Sequence, residues 1–168
     1  MVALSDNSEL FKLAWSNFPT GVSVITTLED GGHVHGCTVN ALCSVSLDPL
    51  LVVICLDHKT NTIEIVRKRG QFSVNILSEN QSQIAEYFAR KEEDRKGDVD
   101  ISYTFQPTGS AEIDGSVFFM DCSVNAAHEA GDHTVFIGQV NDVHLRKERP
   151  LLYYERKFGK VSSDYTKL

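Results

Sequence analysis

The sequence predicts a mainly β domain, an antiparallel barrel or sandwich with peripheral helices. Short apolar and β-branched runs follow one another closely along the chain, and turn-forming residues separate them. Few helical segments stand between these runs, whereas each parallel strand pair would need a crossover of a dozen or more residues. The periodicity gives about six strands and three helices. The length of 168 residues and the hydrophobic content of 42% suit a single domain over residues 1–168 with a real core.

The first predicted element is an amphipathic helix that ends before Pro19. Its apolar side chains recur at helical spacing, at Leu10, Phe11, Ala14, Trp15 and Phe18. The β-rich run "GVSVITTL" follows, and "EDGGH" then predicts a turn because two glycines are adjacent.

The next segment, residues 37–48 ("CTVNALCSVSLD"), alternates between apolar and short polar residues. This period of two predicts one strand with a dry face and a face of small hydrogen-bonding groups. A solvent-facing strand more often carries long charged side chains there. Two explanations stay open for the polar face: it binds a ligand, or its hydroxyls satisfy neighbouring strands and turns.

The second half of the chain alternates strands and helices before a long β region. "LLVVICL" predicts a buried strand, and "NTIEIVRKRG" predicts a short helix with Asn61 as N-cap and Gly70 as its stop. "QFSVNIL" predicts a strand, and "SENQSQIAEYFAR" a helix with a Ser78–Gln81 capping pair. The apolar stripe of that helix consists of Ile84, Tyr87 and Phe88.

Three further segments complete the predicted elements. "RKEEDRKGDVD" has mixed charge and predicts a surface loop. Residues 116–145 read mostly as strand, with a turn near "EAGD". "PLLYYERKFG" predicts a short strand that leads into an exposed basic and aromatic tail.

Charge and cysteine content argue against several classes of partner. The net charge of −7 disfavours nucleic acid and anionic membranes. The longest purely apolar run, residues 50–56, is too short to cross a bilayer, and "MVALSDNSEL" does not resemble a signal peptide. The four cysteines show no C-x-x-C spacing, so we expect buried free thiols in a reducing cytoplasm; they are Cys37, Cys43, Cys55 and Cys122.

Two groups of polar residues could carry chemistry. His33, His35 and Cys37 alternate in "HVHGC", but a metal would need a further ligand from elsewhere, so we expect no metal site. Asp132 and His133 are either an acid–base pair or a turn residue followed by the first residue of a strand. The sequence lacks G-x-S-x-G, H-E-x-x-H, P-loop and G-x-G-x-x-G motifs. Hydride transfer between a nicotinamide and a flavin fits this lack of catalytic groups, because the cofactors supply that chemistry.

Six segments in order resemble the short-chain flavin reductase family, the NAD(P)H-dependent reductase components of two-component flavin monooxygenases. They span about residues 18–159 and read "FPTGVSVITT", "GCTVNALCSVSLDPLLVVICL", "KTNTIEIVRKRGQFSVNIL", "IAEYFARK", "GDHTVFIGQV" and "LLYYERKFG". Relatives often have two prolines where this chain has Pro49 and Leu50. The resemblance implies a split β-barrel of the FMN-binding type, a homodimer, reduction of FAD or FMN by NADH or NADPH, and a separate monooxygenase that receives reduced flavin.

The resemblance also implies the residues of the flavin site. The segment Pro19, Thr20, Gly21 and Val22 would pass along the isoalloxazine ring, and Gly21 would permit close backbone approach. The flavin would also contact the polar strand, at Thr38, Asn40, Ala41, Ser44 and Ser46. A phosphate would bind at the start of the second helix, at Lys59, Thr60 and Asn61.

Further residues would reach the distal flavin and the nicotinamide. Phe88, Arg90 and Lys91 are implied at the distal flavin, although a core stripe and a solvated helix end explain them equally well. His133 would position the nicotinamide, and Tyr154, Arg156 and Gly159 would border the dinucleotide; the alternative for these three is a surface tail.

Two other interpretations remain. A split barrel could hold flavin or heme without turnover, which would leave the "GDH" and "YYERKFG" segments without a purpose. An oxidase of the pyridoxamine-phosphate type would need a basic cluster for the substrate phosphate, and the sequence shows none.

Overall fold

The computed structural model describes residues 7–97 and 99–162. Its helices are α1 (Asn7–Ser16), α2 (Thr62–Arg69) and α3 (Ser82–Ala89), and a 3-10 turn follows at Glu92–Asp94. The strands are β1 (Thr20–Gly21), β2 (Ser23–Leu28), β3 (Val34–Val39), β4 (Leu42–Leu47), β5 (Leu50–Asp57), β6 (Gln71–Ile76), β7 (Tyr103–Phe105), β8 (Ala111–Ile113), β9 (Phe118–Ala130), β10 (His133–Leu145), β11 (Leu151–Tyr154) and β12 (Lys157–Lys160).

The mainly β class is confirmed, but the predicted number of strands was too low. Several of the additional strands have only two to four residues, as in β1, β7, β8 and β12, and such short elements show no measurable periodicity. The outermost residues of the predicted domain, 1–6 and 163–168, and residue 98 of the predicted surface loop lie outside the described residues.

Seven strands form one antiparallel sheet in the order β3-β2-β6-β9-β10-β5-β4. Its two edge strands, β3 and β4, are consecutive in sequence and are joined only by Asn40 and Ala41. Because consecutive Cα atoms are about 3.8 Å apart, Val39 and Leu42 at the opposite edges lie within about 11 Å of each other. The sheet therefore curls into an incompletely closed barrel, which confirms the split β-barrel.

The prediction of one strand over residues 37–48 is wrong. β3 pairs with β2 and β4 pairs with β5, so the segment leaves one edge of the sheet and joins the other. Backbone hydrogen bonds fix the crossing: Leu42 N–H donates to the Asn40 carbonyl, and Cys55 N–H to the Ala41 carbonyl, each at 3.1 Å. The dry face is limited to β3, since Cys37 is buried whereas Leu47 is 87% exposed.

Two apolar clusters stabilise the fold. The first fills the barrel and includes Phe72 and Phe136. Gly138 is required there, because a Cβ at this position would lie 2.4 Å from Phe72 Cζ. The second cluster lies beneath α3 and contains Ile84 and Phe88, so the predicted stripe of this helix is confirmed.

The predicted helix caps are only partly correct. Gly70 ends α2 in the left-handed conformation with φ of 65°, as predicted. The Asn61 side chain makes no capping bond, because its amide donates to Glu92 Oε2 instead. Ser78 N–H donates to Gln81 Oε1 at 2.9 Å, so this pair exists, but α3 begins after Gln81 and not after Ser78.

The C-terminal segment is a hairpin and not an exposed tail. β11 pairs with β12 and also with β1, which makes a three-stranded sheet. Glu155 and Arg156 turn the chain with φ of 49° and 61°, the paired positive φ values of a tight two-residue hairpin turn. The turn predicted near "EAGD" is confirmed between β9 and β10.

The four cysteines are free, but they are not all buried. Cys37 and Cys122 are buried, Cys55 is intermediate and Cys43 is exposed. The exposure of Cys43 follows from the break in the predicted strand, which puts this residue on the edge strand β4.

Candidate functional site

A cleft of about 520 Å³ lies between β3, the segment that precedes α2 and the chain that follows α3. Predicted site residues from three separate segments meet there: Thr38, Lys59, Thr60, Asn61, Phe88, Arg90 and Lys91. The resemblance placed the flavin phosphate and the distal flavin at these segments. The cleft therefore brings together residues that lie far apart in the sequence.

A second, more apolar cavity of about 220 Å³ lies beside this cleft. We call it the apolar lobe; it is lined by Val22, Thr38, Val39, Asn40, Ala89, Tyr153 and Phe158. Thr38 and Ala89 border both cavities, so the two are adjacent, and we call them together the groove. One end of the groove is charged and the other is aromatic, which suits a ligand with a phosphate tail and a flat ring.

Thr20 has an unsatisfied hydroxyl next to this lobe. Its Oγ1 is buried and has no hydrogen-bond partner within residues 7–97 and 99–162. Thr20 pairs with Tyr153, which lines the lobe, across β1 and β11. An unpaired buried hydroxyl costs free energy, and a polar edge of a bound ring would satisfy it.

The turn before α2 forms the charged end of the groove. Asp57 Oδ1 accepts from Lys59 N–H at 2.8 Å, and the Asp57 carbonyl accepts from Thr60 Oγ1 at 2.9 Å. The turn leaves the Lys59 side chain exposed beside the N-terminus of α2, where helix N–H groups favour anions. The basic residues that line this end are Lys59, Arg90, Lys91 and Arg95. The acidic residues that line it are Asp57, Glu92 and Glu93.

Thr38 and Phe88 have structural roles in addition to lining the groove. Thr38 Oγ1 donates to the Ala85 carbonyl at 2.7 Å and so holds α3 against β3, which leaves only its acceptor capacity for a ligand. Phe88 is buried in the second apolar cluster, and a Cβ on Gly36 would lie 2.9 Å from Phe88 Cε1. The core role and the cleft role of Phe88 therefore coexist.

Among the groove residues that the sequence analysis missed are two charged residues that follow α3. Glu92 and Arg95 lie in the mixed-charge segment that we interpreted as a surface loop. Arg95 Nη2 donates to the Gly36 carbonyl at 2.7 Å, and its guanidinium lies over the rings of Tyr87 and Phe88. Only tertiary contact distinguishes these two from the other charges of the segment, so no local pattern could have identified them.

His133 lies next to the cleft but does not line it. Its Nδ1 is 2.7 Å from Asp132 Oδ1, and this hydrogen bond lowers the pKa of the Asp132 carboxyl. His133 pairs with Asp57, a cleft residue, and His58 N–H donates to the Asp132 carbonyl at 3.0 Å. The "GDH" turn is thereby fixed against the rim that carries Lys59.

Several other predicted residues do not meet in this groove. Ser44 and Ser46 line a separate apolar groove of about 340 Å³ on β4, β5, β9 and β10, because the chain crosses to the other edge of the sheet after Val39. Alternation in the C-terminal hairpin directs Tyr153 and Phe158 to the lobe, while the predicted Tyr154, Arg156 and Gly159 are exposed. Pro19, Gly21 and Ala41 are exposed and do not line the lobe, although they lie within a few residues of Val22 or Asn40 in the sequence.

The fold and the groove define a split-barrel protein with a cleft that is charged at one end and aromatic at the other. The flavin reductase like domain family matches residues 15–162. The chain therefore belongs to the flavin-reductase-like family, as the resemblance indicated.

Named relatives agree with this assignment. The chain is 34% identical over 157 residues to the flavin-dependent monooxygenase reductase subunit HsaB of Rhodococcus jostii, covering 93% of this chain and 79% of HsaB. It is 35% identical over 159 residues to a flavin reductase (NADPH) of Lentzea aerocolonigenes, and the match covers 94% of this chain and 90% of that protein.

A solved structure shares the fold. The NADH:FAD oxidoreductase SgcE6 of Streptomyces globisporus C-1027, in complex with NAD and FAD fragments, superposes with a TM-score of 0.88 at 27% identity. The match covers 98% of this chain and 100% of that one.

Proposed function

We propose that the protein is an NAD(P)H:flavin oxidoreductase that reduces FAD or FMN with a hydride from NADH or NADPH. Family membership over residues 15–162 supports this activity. The observation that carries it in this chain is the groove, in which the apolar lobe adjoins a basic cleft at a helix terminus. Relatives of this family are named for reactions with either NADPH or NADH, so both nicotinamides are expected as candidates.

The chain's own residues fit the tasks that such a reaction leaves to the protein. Nicotinamide and flavin supply the hydride chemistry when both are bound. Tyr153 and Phe158 would give the lobe an apolar wall that excludes water, and the Thr20 hydroxyl would bind a polar ring edge. Lys59 and Arg90 would hold phosphate at the other end.

His133 is assigned a positioning role toward the nicotinamide. Its ring is partly exposed, its Nδ1 faces Asp132, and its neighbour across the sheet is Asp57. The hydrogen bond to Asp132 fixes the orientation of the imidazole, which leaves Nε2 for a carboxamide or a ribose. No proton has to leave NAD(P)H with the hydride, so a general base is not required.

We further propose that the protein is a homodimer in the cytoplasm. No residue of α1 is buried against the described part of its own chain, and Phe11, Trp15 and Phe18 stack edge-on along one face of the chain. A ten-residue helix is marginal in water without packing, so this aromatic face requires a partner surface. The apolar groove that contains Ser44 and Ser46 offers a second apolar surface for a subunit contact.

A separate flavin-dependent monooxygenase is the proposed acceptor of the reduced flavin. The relative HsaB is named as the reductase subunit of such an enzyme, and this supports a two-component system. Within the described residues, no helix combines the length and apolarity needed to span a membrane.

The activity is tested by anaerobic mixing of the protein with FAD or FMN and each nicotinamide, while the visible absorption of the flavin is followed. We expect rapid bleaching with at least one flavin and one nicotinamide. Reduction no faster than the uncatalysed background in all four mixtures would contradict the proposal and favour a flavin- or heme-holding protein without turnover.

A further inference from the structure

Three potential metal ligands meet at the rim of the cleft. His33, His35 and Glu92 each offer a ligand atom, and these atoms all lie within 4.8 Å of one another. Among residues 7–97 and 99–162, this is the group of three or more His, Cys, Asp or Glu side chains whose ligand atoms are close enough to share a metal ion. His33 and His35 flank the start of β3, and Glu92 is brought to them from the 3-10 turn.

The distances to Glu92 suit a shared metal better than direct hydrogen bonds. His33 Nε2 lies 3.5 Å from Glu92 Oε1, and His35 Nδ1 lies 3.5 Å from Glu92 Oε2. Good N–H···O bonds measure about 2.7–3.2 Å. In a tetrahedral zinc site, bonds of about 2.0–2.1 Å place neighbouring ligand atoms about 3.3–3.5 Å apart. Each histidine nitrogen thus lies about one such edge length from a different oxygen of the Glu92 carboxylate.

A set of outer hydrogen bonds orients the three ligands. His35 is buried, and its Nε2 lies 3.1 Å from Glu29 Oε2. A proton on Nε2 that bonds to Glu29 leaves Nδ1 as a lone-pair donor on the side of Glu92. Glu92 Oε2 in turn accepts from Asn61 Nδ2 at 3.1 Å. Carboxylate–histidine pairs and hydrogen-bonded carboxylate ligands are the usual support of protein-bound metals.

The local charges also permit a bound cation. Glu29 and Glu92 contribute two carboxylates to the surroundings of His35. The neighbouring cation Arg95 has its Nη2 bound to the Gly36 carbonyl.

We propose that His33 Nε2, His35 Nδ1 and the Glu92 carboxylate bind a divalent transition-metal ion of the zinc type, with a fourth position open to water. Two imidazoles and one carboxylate favour zinc or cobalt over magnesium or calcium, which prefer all-oxygen sites. The ion would tie the 3-10 turn to β3 and so fix Asn61 and Arg95 at the cleft. This proposal does not depend on the flavin reductase activity.

The test is titration of the EDTA-treated full-length protein with Zn²⁺ by calorimetry and with Co²⁺ by visible absorption, in the absence of flavin. We expect one ion per chain, the intense spectrum of tetrahedral cobalt, and no saturable binding of Mg²⁺. His33→Ala and Glu92→Gln should each weaken binding at least about tenfold, and Glu29→Gln about tenfold through the outer hydrogen bond.

A matched control separates this site from adventitious binding by surface histidines. His128 is an exposed histidine on β9, far in sequence from the cluster, and His128→Ala should leave metal affinity unchanged. His33 is 66% exposed, so its replacement should not prevent folding, which far-ultraviolet circular dichroism would verify. Absence of saturable Zn²⁺ and Co²⁺ binding, or equal affinity in wild type and Glu92→Gln, would overturn the proposal.

Discussion

The Arg95 guanidinium lies over the Phe88 ring, with Cζ 5.0 Å from the ring centroid. The same side chain donates to the Gly36 carbonyl at 2.7 Å. Arg95 therefore joins a charged surface segment to the strand and the helix that form the cleft.

Arg95→Ala is expected to destabilise the protein and weaken ligand binding. The lost cation–π contacts and hydrogen bond should lower the free energy of unfolding by about 1–2 kcal/mol. Flavin affinity should fall as the segment that lines the cleft becomes looser. Urea unfolding and fluorescence titration with flavin measure the two effects. Lys96→Ala, which removes an exposed neighbouring cation, is the control; equal effects of both variants would contradict the role of Arg95.

Thr20→Val should have opposite effects on the free and the bound protein. The buried hydroxyl lacks a partner in the described structure, so a methyl group in its place should leave the unfolding free energy unchanged or raise it. The same change removes a hydrogen bond to the flavin, which should cost about 1–3 kcal/mol, or roughly five- to hundredfold in affinity. Thermal unfolding without flavin measures the change in stability, and equilibrium titration with flavin measures the change in affinity. A loss of stability with unchanged affinity would show that Thr20 is purely structural.

His133→Ala should raise the apparent KM for NAD(P)H and lower kcat only partly. A residue that positions the nicotinamide affects binding, whereas an essential acid or base would abolish kcat and remove a limb of the pH–rate profile. Stopped-flow reduction of flavin at varied NAD(P)H concentration gives both parameters. His128→Ala serves as the matched control, and an unaltered saturation curve in His133→Ala would refute the positioning role.

The His144–Glu112 pair predicts a pH-dependent stability. Glu112 is buried, and its hydrogen bond to His144 Nδ1, at 2.7 Å, raises the pKa of His144. A histidine whose pKa is raised in the folded state stabilises that state fully when the pH is below its pKa in the unfolded state, about 6.5. This contribution is lost as the pH rises through the pKa in the folded state. The difference in unfolding free energy between wild type and His144→Gln should therefore shrink from about pH 6 to about pH 8. A difference that stays constant over this interval would contradict the assignment.

Trp15→Ser should weaken the proposed dimer. Trp15 is 56% exposed on the described chain and contacts Phe11 and Phe18. A tryptophan that is buried in an interface contributes about 2 kcal/mol or more to binding, which is roughly thirtyfold in affinity. Sedimentation equilibrium over a range of protein concentrations measures the dissociation constant. Lys12→Ala on the same helix should change it little, and a monomeric wild type at micromolar concentration would exclude the dimer.

The sequence predicted those features that depend on neighbours in the chain. Gly70 as a helix stop, the β9–β10 hairpin and the stripe of α3 all follow from local periodicity or turn chemistry. The break at Asn40 did not, because the alternating pattern continues while the strand changes its partner. Arg95 also escaped detection, since its bond to Gly36 spans 59 residues.

The two-residue link between β3 and β4 has a mechanical consequence. Asn40 closes the seam of the barrel and also borders the lobe. The link is too short to absorb strain, so any widening of the seam must displace Asn40 and change the volume of the lobe. The width of the seam and the volume of the lobe should therefore change together. A spacer inserted after Asn40 should uncouple them.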